Sequence, residues 1–422
     1  MSGKNNHKII NDPVYGFISI PSDLIYELVE HPYFQRLRRI KQLGLTNYVY
    51  PGATHTRFQH ALGSLHLMSL AIQTIRAKGH EITQEEAKAV SVAILLHDIG
   101  HGPFSHALEY SIIEHITHED ISGIYMESLN KHFNGKLDLA IRIFRDEYKK
   151  KFLHQLVSGQ IDMDRLDYLR RDSFFSGVVE GSVSFDRIIK MLNVAEGDLV
   201  VEAKGIYSIE KFLIARRFMY WQVYMHKTVI AGEQLLVNIL KRAKTLADDG
   251  VELFATPSLK FFLYNHVNRE NLFSANPLFA KEVVLDHFSN LDDNDIISCA
   301  RVWADHSDFT LSYLCKGIIN RQLYKVEISN DPFPEERVEE ILNRIKLRYS
   351  LNEDVMNYFV FTLLISANTY NPEEEEIRIM NKSGRLEDLS DVSEMLKISA
   401  LKKTEKKYIL CYFKEWNSGI VE

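Results

Sequence analysis

The segment Leu95-Leu96-His97-Asp98-Ile99-Gly100-His101-Gly102-Pro103-Phe104-Ser105-His106 constrains this chain more than any other. It closes a helical stretch that opens at Gln84-Glu85-Glu86, carries the apolar face Val90, Ala93 and Ile94, and ends at Gly100, Gly102 and Pro103. An imidazole and a carboxylate therefore stand side by side at the C-terminal end of an apolar helix, where nitrogen and oxygen can reach one cation. That mixed donor set suits Mn, Fe, Ni or Zn better than an all-oxygen cage would. Histidine crowds around it: nine of 17 (His55, His60, His66, His80, His97, His101, His106, His115 and His118) fall between residues 55 and 118. Singly, His66, His80 and His115 read as surface histidines. The crowding as a group is what metal or proton-transfer chemistry needs. Two further donors strengthen the pattern, His60 in His55-Thr56-Arg57-Phe58-Gln59-His60 and Asp164 in Ile161-Asp162-Met163-Asp164-Arg165-Leu166-Asp167-Tyr168.

Composition narrows the classes available. The 422 residues carry 50 basic and 57 acidic side chains, a net charge of −7, which argues against a strong nucleic-acid surface because phosphate-backbone affinity rests on clustered Lys and Arg. A local basic site remains compatible with it. The 45% apolar and 25% charged content is that of a globular protein, and at roughly 150 residues per domain the length suggests two or three units. Cys299, Cys315 and Cys411 have neither metal nor redox spacing, so they read as buried small hydrophobes in a reducing cytoplasm. Met1 to Asn6 lacks the apolar core of a signal peptide, and the run ending Val92 to Leu96 is far short of the ~20 residues that span a bilayer. A cytoplasmic, unanchored protein is the expectation.

Periodicity divides the chain in three. Residues 1–245 read as mostly helical, with helices over 22–43, 56–78, 84–100, 105–130, 137–172, 184–192 and 208–246, and a small hairpin over Leu199 to Tyr207. Residues 246–320 read as a helical extension in which Pro257 starts a helix. Residues 321–422 read as a small α+β module, with strands at 323–328, 358–364, 376–380 and 407–413 separated by helical segments near Pro334 and Asp391. The acidic run Glu373 to Glu376 reads as a solvated loop. The fold class expected is mostly α, a helical bundle with that module attached.

In this order the motifs resemble those of the HD-domain metal-dependent phosphohydrolases, whose pattern is H…HD…D, and within them the deoxynucleoside triphosphate triphosphohydrolases. The likeness to the HD domain of the vertebrate SAM- and HD-domain dNTPase covers roughly residues 8–235. Asn11-Asp12-Pro13, Phe34-Gln35-Arg36-Leu37-Arg38, Ile40 to Gly44, Tyr50 to Ala53, Arg57 to His60, His97 to His106 and Asp164 to Asp172 carry it. No counterpart of the SAM domain is expected, and the last third matches less clearly. The resemblance implies that His60, His97, Asp98 and Asp164 hold a divalent transition metal, with Mg accompanying the nucleotide.

A triphosphate carries about four negative charges, so cations have to surround it. Arg57 and Arg165 flank metal ligands, and Arg216, Tyr220, Tyr224 and Lys227 fall within about 80° on an unbroken helix. Spacing alone favours an amphipathic helix with a polar seam. The resemblance instead makes Arg216 and Lys227 phosphate contacts and Tyr224 a deoxyribose-packing wall. It likewise makes Tyr168, Asp172 and Gln42 contacts to the sugar and its 3′-hydroxyl, with Leu43 and Tyr224 leaving no room for a 2′-hydroxyl. The vertebrate relative has Lys where Arg165 stands.

The mechanism so implied is attack on the α-phosphorus by a metal-activated water, giving a deoxynucleoside and inorganic triphosphate. His106 is the first choice as general acid for the departing 5′-oxygen, and His101, Glu109 and His118 are supporting groups; family members usually have Asp at the Glu109 position. Relatives form oligomers and bind an activating nucleotide near the segment matching Asn11 to Arg38, so a homo-oligomer (dimer or tetramer) is expected. Gln35 and Arg38 align with activator contacts, and Glu30 replaces a guanine-reading Asp. Two other functions fit the same fold: action on another nucleotide (a monophosphatase, a phosphodiesterase or a guanosine-tetraphosphate hydrolase), or a non-catalytic sensor of nucleotides or single-stranded nucleic acid.

Overall fold

The computed structural model describes residues 8–104, 108–272, 276–367, 376–393 and 405–414. Among these described residues the chain is mostly helical, with three small sheets. At its centre runs the Arg57–Ala77 helix, opened by a Thr56–Gln59 capping box. His60, Ala61, Gly63, Ser64, Leu65, Leu67 and Met68 are all buried on it, because other helices cover it on several sides. Gln84–Leu96, Met163–Ser176 and Phe185–Met191 pack directly against it. Over its first half this helix has little solvent face to fill with charge, so the polar groups it carries there must find partners inside the protein.

Long helices expected from periodicity are broken where backbone chemistry intervenes. The 22–43 stretch is two short helices, Asp23–Glu30 and Pro32–Gln35, followed by a 3₁₀ turn. His31 between them is extended at φ −66°, ψ 138°, as the residue before a proline prefers to be. The 208–246 stretch is a helix over Ile206–Met219, a π turn over Tyr220–Tyr224, and a second helix over Lys227–Asp248 that starts after an extended His226. The 137–172 stretch divides into Asp138–Phe144, Lys151–Gln155 and Met163–Ser176. The hairpin lies seven residues earlier than expected, pairing Leu192–Ala195 with Asp198–Glu202. Its turn is Glu196-Gly197, both at positive φ, while Gly205 leads into the next helix. An N-terminal hairpin, Ile9–Asp12 with Gly16–Ser19, was not apparent from the pattern.

The four-stranded sheet joins this hairpin to Arg378–Met380 and Leu386–Asp388, the Asp198–Glu202 and Arg378–Met380 strands running parallel. In the three-stranded antiparallel sheet, Glu405–Tyr412 lies between Lys325–Ser329 and Val360–Ala367. Pro257 does open a helix, Pro257–Tyr264, and all three cysteines are free and buried. Among the described residues no helix is long and apolar enough to cross a membrane. Of the run Glu373 to Glu376, only Glu376 lies within them, and it is exposed outside the strands.

Candidate metal centre and adjoining cavity

Three helices bring His60, His97 and Asp164 together, with Asp98 beside them. His60 sits in the first turn of Arg57–Ala77, His97 and Asp98 follow the last residue of Gln84–Leu96, and Asp164 lies in the first turn of Met163–Ser176. His60 Nε2 is 3.1 Å from Asp164 Oδ1 and 3.6 Å from Asp98 Oδ2. His97 Nε2 is 3.3 Å from Asp98 Oδ1 and 3.5 Å from Asp164 Oδ1. Each imidazole is oriented through its other nitrogen: His60 Nδ1 is 2.8 Å from Asp167 Oδ2, and His97 Nδ1 is 2.6 Å from the Ile94 carbonyl. Both Nδ1 atoms therefore donate, which leaves lone pairs on the two Nε2 atoms. Those Nε2 atoms are buried and, among the described residues, make no hydrogen bond. Unbonded buried acceptors converging with two carboxylates fit a divalent cation.

The electrostatics agree with a site built for positive charge. Burial opposes charge on His60, yet Asp164 and Asp167 lift it to about 10; the Asp98 and Asp164 carboxylates lift His97 in the same way. Against their own burial, Asp98 is held down by His97 and Arg57, and Asp164 by His60 and His97. The carboxylates are ionised there. A cation entering the centre competes with the imidazole protons.

The turn carrying His97 to Phe104 is held from three directions. Arg36, fully buried, donates to the carbonyls of Ile99 and His101. Ser122 Oγ donates to the His97 carbonyl and accepts from the Gly100 N–H. Asp293 accepts from the Phe104 N–H at 2.8 Å and the Lys41 N–H at 3.0 Å. A Cβ at Gly100 would stand 2.2 Å from the His118 carbonyl oxygen, so only glycine lets the segments approach. Arg36 lay within a quoted motif without an assigned role, and Ser122 and Asp293 carry no local signal in the sequence.

A cavity of about 490 Å³ opens beside the donors, within the range of small-ligand sites. Its walls include Gln42, Leu43, Arg57, Asp98, His101, His118, Asp164, Tyr168, Asp172, Arg216, Tyr220 and Tyr224 from the expected set. Arg57 pairs with Asp98. His101 stacks on His118 at 3.8 Å between ring centroids, and His118 Nδ1 is 2.6 Å from Glu109 Oε1. Burial and the Arg57 guanidinium push His101 well below the ordinary imidazole range, so it stands neutral. Asp172 is held by the Tyr224 hydroxyl at 2.7 Å and by His55 Nε2 at 2.8 Å. Among the described residues, the buried Gln42 Oε1 has no hydrogen-bond partner.

Two expected phosphate contacts are placed elsewhere. Arg165 turns back to Asp162, the N-cap of its own helix, and does not line the cavity. Lys227 is exposed on the first turn of the Lys227–Asp248 helix. The π turn and the break at His226 interrupt the 100° progression that would have aligned it with Arg216. Arg216 itself reaches Gln160 Oε1 at 3.3 Å. His106 lies outside the described residues. Of the possible activator contacts, Asn11 lies in the N-terminal hairpin and Glu30 is exposed at a helix end. Gln35 Oε1 accepts from Arg38 Nε at 2.8 Å, and Arg38 lies over the Phe58 ring.

Comparison with known proteins gives a consistent result. Residues 57–172 match the HD domain, and residues 183–252 match the HD associated region. The crystal structure of a phosphohydrolase from Bacteroides thetaiotaomicron VPI-5482 superimposes with a TM-score of 0.92 at 55% identity, covering 97% of this chain and 100% of that one. The uncharacterized protein YwfO of Bacillus subtilis is 32% identical over 417 residues, 96% of this chain and 92% of that protein. The deoxynucleoside triphosphate triphosphohydrolase SAMHD1 homolog of Dictyostelium discoideum is 32% identical over 262 residues, 57% of this chain and 50% of that protein.

Proposed function

The chain belongs to the HD-domain family of phosphohydrolases, and from that premise we propose that it hydrolyses deoxynucleoside triphosphates to deoxynucleoside and inorganic triphosphate. The observation that carries this reading is the joining of the donor cluster, in one cavity, to a polar wall that includes Gln42 and Asp172. Gln42 Oε1 and Asp172 supply acceptors, while Leu43 and Tyr224 narrow the space around them. Gln42 Oε1, buried and without a partner among the described residues, awaits a hydroxyl donor, and Asp172, held by Tyr224 and His55, keeps lone pairs to accept a second one; a 3′-hydroxyl is the donor that a deoxyribose retains. The likeness to the Dictyostelium triphosphohydrolase supports the same substrate.

His60, His97, Asp98 and Asp164 would hold the metal. A divalent cation bound there supplies an activated water at neutral pH and offsets phosphate charge. Arg57 and Arg216 orient the phosphate chain and stabilise charge on it as the bond to the 5′-oxygen breaks. His101 is neutral and buried against His118, which Glu109 orients, so this pair is placed to hand on a proton. In this reading His106 remains the proton donor to the leaving oxygen. The Gln35–Arg38 region is the candidate activator site of an oligomer, which sedimentation with and without dGTP tests; a monomer under both conditions removes the assembly.

A second reading keeps the centre and changes the substrate. With Arg165 bound to Asp162 and Lys227 outside the cavity, fewer cations face the ligand than a triphosphate would use, which favours a nucleotide with fewer phosphates. One experiment separates the two. Purified protein is given each dNTP with Mn²⁺, and orthophosphate, pyrophosphate and triphosphate are resolved. Triphosphate release that the paired substitutions His97→Ala and Asp98→Ala abolish supports the first reading. Orthophosphate or pyrophosphate supports the second, and undiminished activity in the double variant removes both.

A further inference from the structure

Glu233 lines the same cavity and takes no part in the chemistry described above. It lies on the Lys227–Asp248 helix, one turn beyond Val229, which also faces the cavity. Its Oε1 is 4.0 Å from where a Cβ on Gly44 would stand, and Phe104 borders the same point. The carboxylate therefore stands at the loop that carries Gln42 and Leu43. Among the described residues it has neither a hydrogen bond nor an ion-pair partner, and burial alone pushes it up to about 7. An unpartnered carboxylate that has lost much of its water is costly, and a ligand that brings its own donors removes that cost.

The cavity wall sorts by chemistry. Metal donors, Arg57 and Arg216 suit phosphates, and Gln42, Leu43, Asp172 and Tyr224 suit the sugar. What remains is Gly44, Thr46, Phe104, Met225, Val229 and Glu233, largely apolar surface with one carboxylate. Flat apolar walls with a few convergent polar groups are what a nucleobase needs. We propose that Glu233 reads the base, its two oxygens accepting the adjacent N1–H and N2–H donors of a guanine. A carboxylate is acceptor-only with two parallel sites. Adenine and cytosine offer it one donor beside an acceptor, and thymine offers one N–H flanked by carbonyls. This rests on the dNTP reading above and adds to it a preference for dGTP.

The test is a competition in one tube, with all four dNTPs at equal concentration and Mn²⁺, so that relative kcat/KM values are read independently of any shared activator. The expected result is consumption of dGTP about tenfold or more ahead of the others, the size of discrimination a hydrogen-bonding site achieves when its polar groups would otherwise go unpaired. In Glu233→Gln, which presents one acceptor and one donor, the lead falls to about threefold or less. A flat ranking in the unaltered protein overturns the proposal. So does an equal fall for all four nucleotides in the variant, which marks a catalytic or structural role. Failure to release triphosphate from any dNTP overturns the reading of the reaction itself. Equilibrium binding of the four dNTPs then decides the base question separately, a dGTP preference lost in Glu233→Gln supporting it and equal affinities refuting it.

Discussion

His60 Nδ1 lies 2.8 Å from Asp167 Oδ2, with both side chains wholly buried. Asp167 also accepts from Arg171 Nε at 2.9 Å, and Arg171 reaches Asp12 in the N-terminal hairpin at 2.7 Å. A candidate metal-donor histidine is thus fixed through a chain of charges that ends at Asp12 in the N-terminal hairpin. The carboxylate does two things, setting the His60 tautomer and neutralising a guanidinium that water cannot reach.

Asp167→Asn keeps the shape and removes the charge. Outer partners of metal-ligating histidines are worth about 10–100-fold in metal affinity, so chelator competition should show a loss of that size in Mn²⁺ affinity. Arg171 keeps Asp12 but loses one of its two counter-ions, so the melting temperature should fall as well. Unchanged affinity would mean that packing alone orients His60.

Gly63 sits one turn after His60 and faces the same pair. A Cβ there would stand 1.9 Å from Asp167 Oδ1 and 2.3 Å from an Arg171 terminal nitrogen. The clash is with the ends of a buried, mutually bonded pair, which cannot move without exposing a charge. Gly63→Ala should therefore destabilise by about 2 kcal/mol or more, the upper part of the range for overpacking. Urea denaturation measures it, and a loss below about 0.5 kcal/mol would show that the two helices slide apart freely.

The donors were legible because each lies in a short string of chemically distinctive residues, and backbone geometry over four or five residues is local. Asp167 was not, although it follows Asp164 by three and precedes Arg171 by four, spacings that bring side chains together on a helix. Nothing local says that this face is buried. The break at His226 was equally hidden, since apolar residues continue at helical spacing on both sides of it. The Arg378–Met380 strand pairs with Asp198–Glu202 across more than 170 residues of chain, and no pattern within either strand names its partner. In the cavity, Gln42, Leu43, Arg216, Tyr220 and Tyr224 join the residues of the HD motifs as the sequence implied; Glu233, and Asp293 behind the His97 to Phe104 turn, arrive from other helices, where their charge looks like an ordinary polar surface.

Tyr224 and Asp172 give a prediction specific to the sugar. The Tyr224 hydroxyl donates to Asp172 Oδ2, while His55 holds Oδ1. Tyr224→Phe removes one hydrogen bond to a charged group, worth about 1.5–3 kcal/mol, and leaves a buried carboxylate freer to turn. The KM for a dNTP should rise roughly tenfold. For the matching 2′,3′-dideoxynucleotide, which has no 3′-hydroxyl for Asp172 to accept from, the rise should be smaller. Equal rises for both would assign the tyrosine to stacking and not to alignment of Asp172.

Glu233 makes a prediction about stability that needs no substrate. Burial raises it from 4.5 to about 7, so between those values the folded chain holds a proton that the unfolded chain has released. Stability rises with pH only where the unfolded state binds more protons. Here the sign is the reverse: the contribution is fully present below about pH 4.5 and is lost as pH climbs through about 7. Glu233→Gln is uncharged throughout and lacks that loss. Melting curves of the two proteins should coincide near pH 5 and separate towards pH 8, with the variant melting higher. Added dGTP should narrow the gap at pH 8, because donors from the base would partner the ionised carboxylate in the unaltered protein alone. A gap that stays constant from pH 5 to pH 8 would show that Glu233 titrates as it does in water, and the cavity would then be wetter at its base-facing end than its walls suggest.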